Sequence, residues 1–87
     1  MWTVEFTHEA TKDFRKLTPQ TRQAITKFMR KLVEDCPHPR VKGKVLSYRY
    51  KGIWRYRVGD YRIMCELDDT KQLIEVLGIG HRREVYR

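Results

Sequence analysis

Apolar and polar residues alternate one by one at the start of the chain, where Trp2, Val4 and Phe6 enclose Thr3 and Glu5. A period of two is the mark of a half-buried strand. The period then lengthens. Ala10, Phe14 and Leu17 recur at helical spacing with charge between them, which predicts a short amphipathic helix that Thr7 can cap. "LTP" restarts the chain, with Thr18 as N-cap and Pro19 at the first helical position, where no backbone N–H is needed. Ile25, Phe28, Met29, Leu32 and Val33 form an apolar stripe at i, i+3, i+4, i+7 and i+8, read as a core seam against a sheet. This second helix must end near "DCPHP", because Pro37 and Pro39 cannot continue it.

From Arg40 to Lys51 the pattern is weak: a turn at Gly43 and a short strand around Val45–Tyr50. Residues 53–58 and 61–67 then alternate strongly and are joined by Gly59-Asp60, the composition of a tight β-hairpin. "LDDTKQ" makes the next turn and "LIEVLGIG" the last strand, in which Gly78 and Gly80 leave room for a bulge or a close backbone approach. The order is β-α-α-β-β-β, and residues 1–87 form one domain. The predicted fold class is α+β, with two N-terminal helices packed on one face of a small, mostly antiparallel sheet.

Composition narrows the function. At 40% hydrophobic the chain is that of a folded protein. No stretch approaches the ~20 apolar residues of a membrane span. "MWTVEFTHEA" lacks the basic and apolar regions of a secretion signal, so a cytoplasmic protein without a membrane partner is expected. Cys36 and Cys65 show no metal-ligand spacing and are read as free thiols; no metal and no cofactor are implied. The net charge of +8 is unevenly spread. Residues 40–62 carry eight Lys and Arg against Asp60 alone, whereas residues 63–80 are net acidic. Such a concentration points to a polyanionic partner.

Strand alternation fixes which way these arginines point. A two-residue turn at Gly59-Asp60 pairs Val58 with Tyr61, Arg57 with Arg62, Tyr56 with Ile63, Arg55 with Met64 and Trp54 with Cys65. Trp54, Tyr56, Val58, Tyr61, Ile63 and Cys65 then share the face that buries itself against the helices. Arg55, Arg57 and Arg62 share the open face with Met64. A one-residue slip would drive the arginines into the core, which supports the register. Arg57 directly opposite Arg62 destabilises a sheet unless something relieves the repulsion. A bound polyanion does so, and the planar fork of Arg suits phosphate.

The chain closes with "GIGHRREVYR", adding His81, Arg82, Arg83 and Tyr86. Together, "YRYKGIWRYRVGDYRIMCEL" and "IEVLGIGHRREVY" closely resemble the RelE/ParE superfamily of toxin–antitoxin toxins, on its RelE side. The sharpest motifs are "RYRVGDYRI" and "GHRREVY". The resemblance implies a ribosome-dependent endoribonuclease, an mRNA interferase that cuts mRNA in the A site of the 70S ribosome. It implies a cognate antitoxin as partner, and contact with operator DNA only through the antitoxin complex. The family's site residues fall on Arg55 and Arg57, which are often lysines in the family, and on Arg62, Arg82 and Tyr86. Relatives that continue past the terminal Tyr form a further helix, whereas only Arg87 follows Tyr86 here.

RNA can be cut by its own 2′-hydroxyl attacking the adjacent phosphate. Arg62 and Arg82 are the candidates for stabilising the charge that develops. Arg55 and Arg57, with Lys44, Arg49, Lys51 and Arg83, are candidate backbone grips. His81 is the candidate base, histidine being the side chain suited to proton transfer near neutral pH, and Tyr86 can stack on a nucleotide or handle a proton. Two other readings stand beside this one: a ParE-like toxin that shares the fold and inhibits DNA gyrase without nuclease chemistry, against which the basic set Arg55, Arg57, Arg62 and Arg82 with Tyr86 argues, and a plain RNA-binding domain.

Overall fold

Two capped helices follow an opening strand. β1 (Thr3–Phe6) leads through Thr7 into α1 (His8–Arg15), and Thr18 starts α2 (Pro19–Glu34) with Pro19 in its first turn. The Thr7 hydroxyl accepts the Ala10 N–H at 3.1 Å and the Thr18 hydroxyl accepts that of Thr21 at 3.2 Å. Each cap satisfies a helix-start donor that would otherwise lack a partner. A 3-10 turn (Pro39–Val41) precedes β2 (Lys44–Val45), β3 (Ile53–Val58), β4 (Tyr61–Asp68) and β5 (Leu73–His81). The computed structural model describes residues 1–35, 38–41, 44–45 and 52–81, with 41, 44 and 45 described by their backbone alone. Of the expected strand around Val45–Tyr50, residues 46–50 lie outside the described residues.

The strands form one sheet in the order β1-β5-β4-β3-β2, four principal strands and the two-residue β2. β2, β3, β4 and β5 pair antiparallel in succession, and the β3–β4 register is the one expected from the alternation. β1 lies parallel to β5, with Thr3 opposite Leu73 and Phe6 opposite Val76. The helices cover one face: Ala10, Ile25 and Leu32 meet Tyr56, Ile63, Cys65, Ile74 and Val76 in a closed core. Trp54, Val58 and Tyr61 pack against that core, so the apolar face of the hairpin is the inner one.

β4 and β5 slip by one residue. Cys65 faces Val76 but Met64 faces Gly78, which leaves Leu77 as the extra residue of a bulge. The slip reverses the phase of the last third of β5. A regular ladder would set Ile79 opposite Arg62 and Gly78 opposite Ile63. The bulged one sets Ile79 opposite the buried Ile63, and Gly80 and Gly78 opposite Arg62 and Met64.

The far end of the sheet is held by a polar clasp. The buried Tyr56 hydroxyl donates to the Pro39 carbonyl at 2.9 Å. Arg40 lies over the Trp54 ring, 5.5 Å from its centre, and grips Asp69 through both carboxylate oxygens at 2.8 and 2.9 Å. The hydrogen bonds from Arg40 hold the Asp69 carboxyl below its ordinary range. Among the described residues no helix is long and apolar enough to cross a membrane.

Candidate nucleic-acid interface

The β3–β4 turn brings the cationic face together. Gly59 has a φ of 59° and Asp60 does not share the left-handed conformation, the pattern of a type II′ hairpin turn with glycine first. That turn fixes Arg57 opposite Arg62. Arg57 is exposed and its Nε donates to the Gly59 carbonyl at 3.4 Å. Arg62 is half-buried; its Nη1 reaches the same carbonyl at 3.5 Å and that of Tyr61 at 3.2 Å. Two guanidinium groups therefore share one neutral oxygen through long contacts. An anionic oxygen at that point makes shorter and stronger bonds than a carbonyl does. Among the described residues Arg57 forms no ion pair with a carboxylate.

Arg55 sits two residues along β3 from Arg57, half-buried and opposite Met64. Lys44 holds the register position opposite Arg55 on β2. Across β4, Gly80 and Gly78 occupy the positions facing Arg62 and Met64. Neither of these two positions adds a side chain of its own, the composition that suits a close backbone approach; the Asp13 carboxylate and the Met64 methyl lie beside Gly78. The candidate interface is a floor of β3, β4 and the two glycine positions of β5, with arginines along one side. The sequence marks the two glycines for a bulge or a close approach, but not as members of the site. The signal was the spacing of Ile74, Val76 and Ile79, which breaks strict alternation and requires an extra residue.

His81 is not brought to this face. It pairs with Tyr61, and its ring meets the Tyr61 ring edge-on with centres 5.5 Å apart. By alternation it shares the helix side with Tyr61 and Ile79, while Arg62 and Gly80 lie on the other side. Arg49, Lys51, Arg82, Arg83 and Tyr86 lie outside the described residues. The buried Cys65 is a free thiol that desolvation pushes up to about 12, so it is protonated and plays no part in polar chemistry.

A family model described as the ParE toxin of type II toxin–antitoxin systems, parDE, matches residues 4–86. The chain belongs to the RelE/ParE superfamily of toxins. Toxin RelG of Mycobacterium tuberculosis is 31% identical over 86 residues, covering 99% of this toxin and 97% of the relative. Toxin RelE of the same organism is 30% identical over 84 residues, covering 97% and 84%. A chain in the crystal structure of the RelBE2 toxin–antitoxin complex of M. tuberculosis superposes on this toxin with a TM-score of 0.82. The two are 32% identical, and the match covers 93% of this toxin and 98% of that chain. The α+β arrangement and the RelE side of the superfamily agree with the expectation from the sequence.

Proposed function

We propose that this toxin is a ribosome-dependent endoribonuclease that cleaves mRNA in the A site and is neutralised by a cognate antitoxin. The chief support is the convergence of Arg57 and Arg62 on one oxygen beside a strand with glycines at the two facing positions. A cationic sheet face with small residues beside its arginines admits a nucleic-acid backbone and puts paired donors at a phosphate. The curated relatives being RelG and RelE toxins adds weight to the same reading.

In the proposed reaction the 2′-oxygen gives its proton to a base and attacks the adjacent phosphorus. The P–O5′ bond breaks, and the 5′-oxygen takes a proton. The products are a 2′,3′-cyclic phosphate and a 5′-hydroxyl. Arg62 and Arg82 stabilise charge building on the phosphate oxygens. Arg55 and Arg57, with Lys44, Arg49, Lys51 and Arg83, hold the RNA backbone, and Tyr86 stacks on a nucleotide or handles a proton. Arginine stays charged and is a poor proton carrier, so in-line positioning supplies much of the rate and the ribosome is assigned the task of holding the substrate. His81, on the Tyr61 side of the sheet, takes a lesser role than Arg62. Operator DNA is contacted only through the antitoxin complex. On the opposite side, the partly exposed Phe6 and an apolar groove of about 380 Å³ lined by Trp2, Val4, Met29 and Val33 offer surface that a partner protein can cover.

The family model's ParE description favours a second reading, inhibition of DNA gyrase without RNA cleavage. Primer extension on mRNA from programmed ribosomes separates the two. The nuclease reading expects discrete cuts, lowered on the order of 100-fold by Arg62→Ala and less by His81→Ala. Intact mRNA together with DNA damage in expressing cells would favour the gyrase reading.

A further inference from the structure

β1 accompanies β5 only as far as Val76, and the last five residues of β5 have no strand on their outer side among the described residues. α1 and its cap take over that edge. The Thr7 N–H donates to the Val76 carbonyl at 3.0 Å, and the Thr7 hydroxyl donates to the Leu77 carbonyl at 3.2 Å. The Ile79 N–H donates to Oδ2 of Asp13 at 3.0 Å. These three bonds bracket the bulge at Leu77 from the side opposite β4.

Asp13 lies on α1 and takes no part in the proposed chemistry. Its partner is nevertheless the backbone of the residue between Gly78 and Gly80. That residue must stay turned inward if the two glycines are to face Arg62 and Met64. A strand edge with a bulge has two competing phases, and the regular one exposes Ile79 on the arginine side. A carboxylate fixed to the Ile79 N–H at that point favours the bulged phase. Oδ2 also lies 3.5 Å from where a Cβ of residue 78 would stand, so the acid is seated directly beside the first of the two glycines.

We infer that Asp13 is a positioning residue for the cationic face: it stands in for a missing strand neighbour and holds the bulge that keeps β5 bare opposite Arg62. This deepens the nucleic-acid reading of that face and rests on it. The Asp13 contact is formed in the free toxin and acts through β5, without touching RNA.

The test uses the full chain as wild type, Asp13→Ala and Asp13→Asn. Amide hydrogen exchange at Ile79, thermal unfolding, and single-turnover cleavage of mRNA across ribosome concentrations are measured. Asp13→Ala is expected to speed exchange at Ile79 about tenfold, the effect of losing one ordinary hydrogen bond. It is expected to lower the cleavage rate at saturating ribosome about tenfold through misplacement of the site, with the half-saturating concentration little changed. Asp13→Asn, whose amide oxygen still accepts, restores most of both. Unchanged Ile79 exchange in Asp13→Ala overturns the inference, as does faster exchange with an undiminished cleavage rate, or Asn behaving as Ala does. Should Asp13→Ala fail to fold, wild type decides: an Ile79 amide exchanging like an open edge amide overturns the inference, and a protected one upholds it. If wild type cleaves no mRNA, the nuclease reading fails by itself. Affinity for a short single-stranded RNA then replaces the cleavage rate, with a fall in Asp13→Ala and recovery in Asp13→Asn expected, and no fall overturning the inference.

Discussion

Tyr56 combines two jobs in one side chain. Its ring fills the core and its hydroxyl satisfies the Pro39 carbonyl in a place closed to water. Tyr56→Phe keeps the ring but removes that hydrogen bond, so a loss of about 1 kcal/mol is expected in urea unfolding; an unchanged midpoint would contradict it. Asp69 shows the opposite case, a polar contact at the surface. Its carboxyl is held low by Arg40 when folded, so its proton affinity is greater in the unfolded chain. The contribution is therefore present at neutral pH and disappears as pH falls through the carboxylate range. The stability gap between wild type and Asp69→Asn should close on going from about pH 7 to about pH 3. It should be small throughout, because the pair is open to solvent. A gap that widens in acid would show the sign to be wrong. Neither contact was legible in the sequence, because both join residues far apart in the chain and depend on where the 3-10 turn settles.

The hairpin of β3 and β4 was legible almost completely. Its register followed from Gly59-Asp60 and from the cost of burying an arginine, and each pair from Trp54–Cys65 to Val58–Tyr61 is found as expected. Both helices and their threonine caps were equally plain, since caps and stripes are local signals. β5 was harder. Gly78 and Gly80 suggested a bulge, but its position and its consequence for His81 needed the partner strand. His81 looked like a member of the basic region, and the one-residue slip is what sets it on the side of Tyr61. The glycines themselves are not equivalent. Gly59→Ala forces a side chain into a left-handed conformation and is expected to cost about 1 kcal/mol. An added Cβ at Gly78 meets only ordinary contacts, at 3.5 and 3.8 Å, so Gly78→Ala should leave the melting temperature equal or higher. Reversal of that order in thermal unfolding would refute the account of the two glycines.

Over the whole molecule, Arg55, Arg57 and Arg62 share the sheet face that the helices leave uncovered. The parallel seating of β1 beside β5 was not foreseeable from local pattern: the partners stand about seventy residues apart, and only the assembled core decides which edge β1 takes. Yet that seating ends early enough for α1 to cover the rest of β5, and so bears on the cationic face from a distance. The central claim is that this face meets RNA phosphates through its guanidinium groups. The most direct measurement is single-turnover cleavage of mRNA on programmed ribosomes by the triple variant Arg55→Gln, Arg57→Gln, Arg62→Gln, once its hairpin is verified as folded. Cleavage reduced by at least about 100-fold is the predicted result; cleavage at the wild-type rate would contradict it.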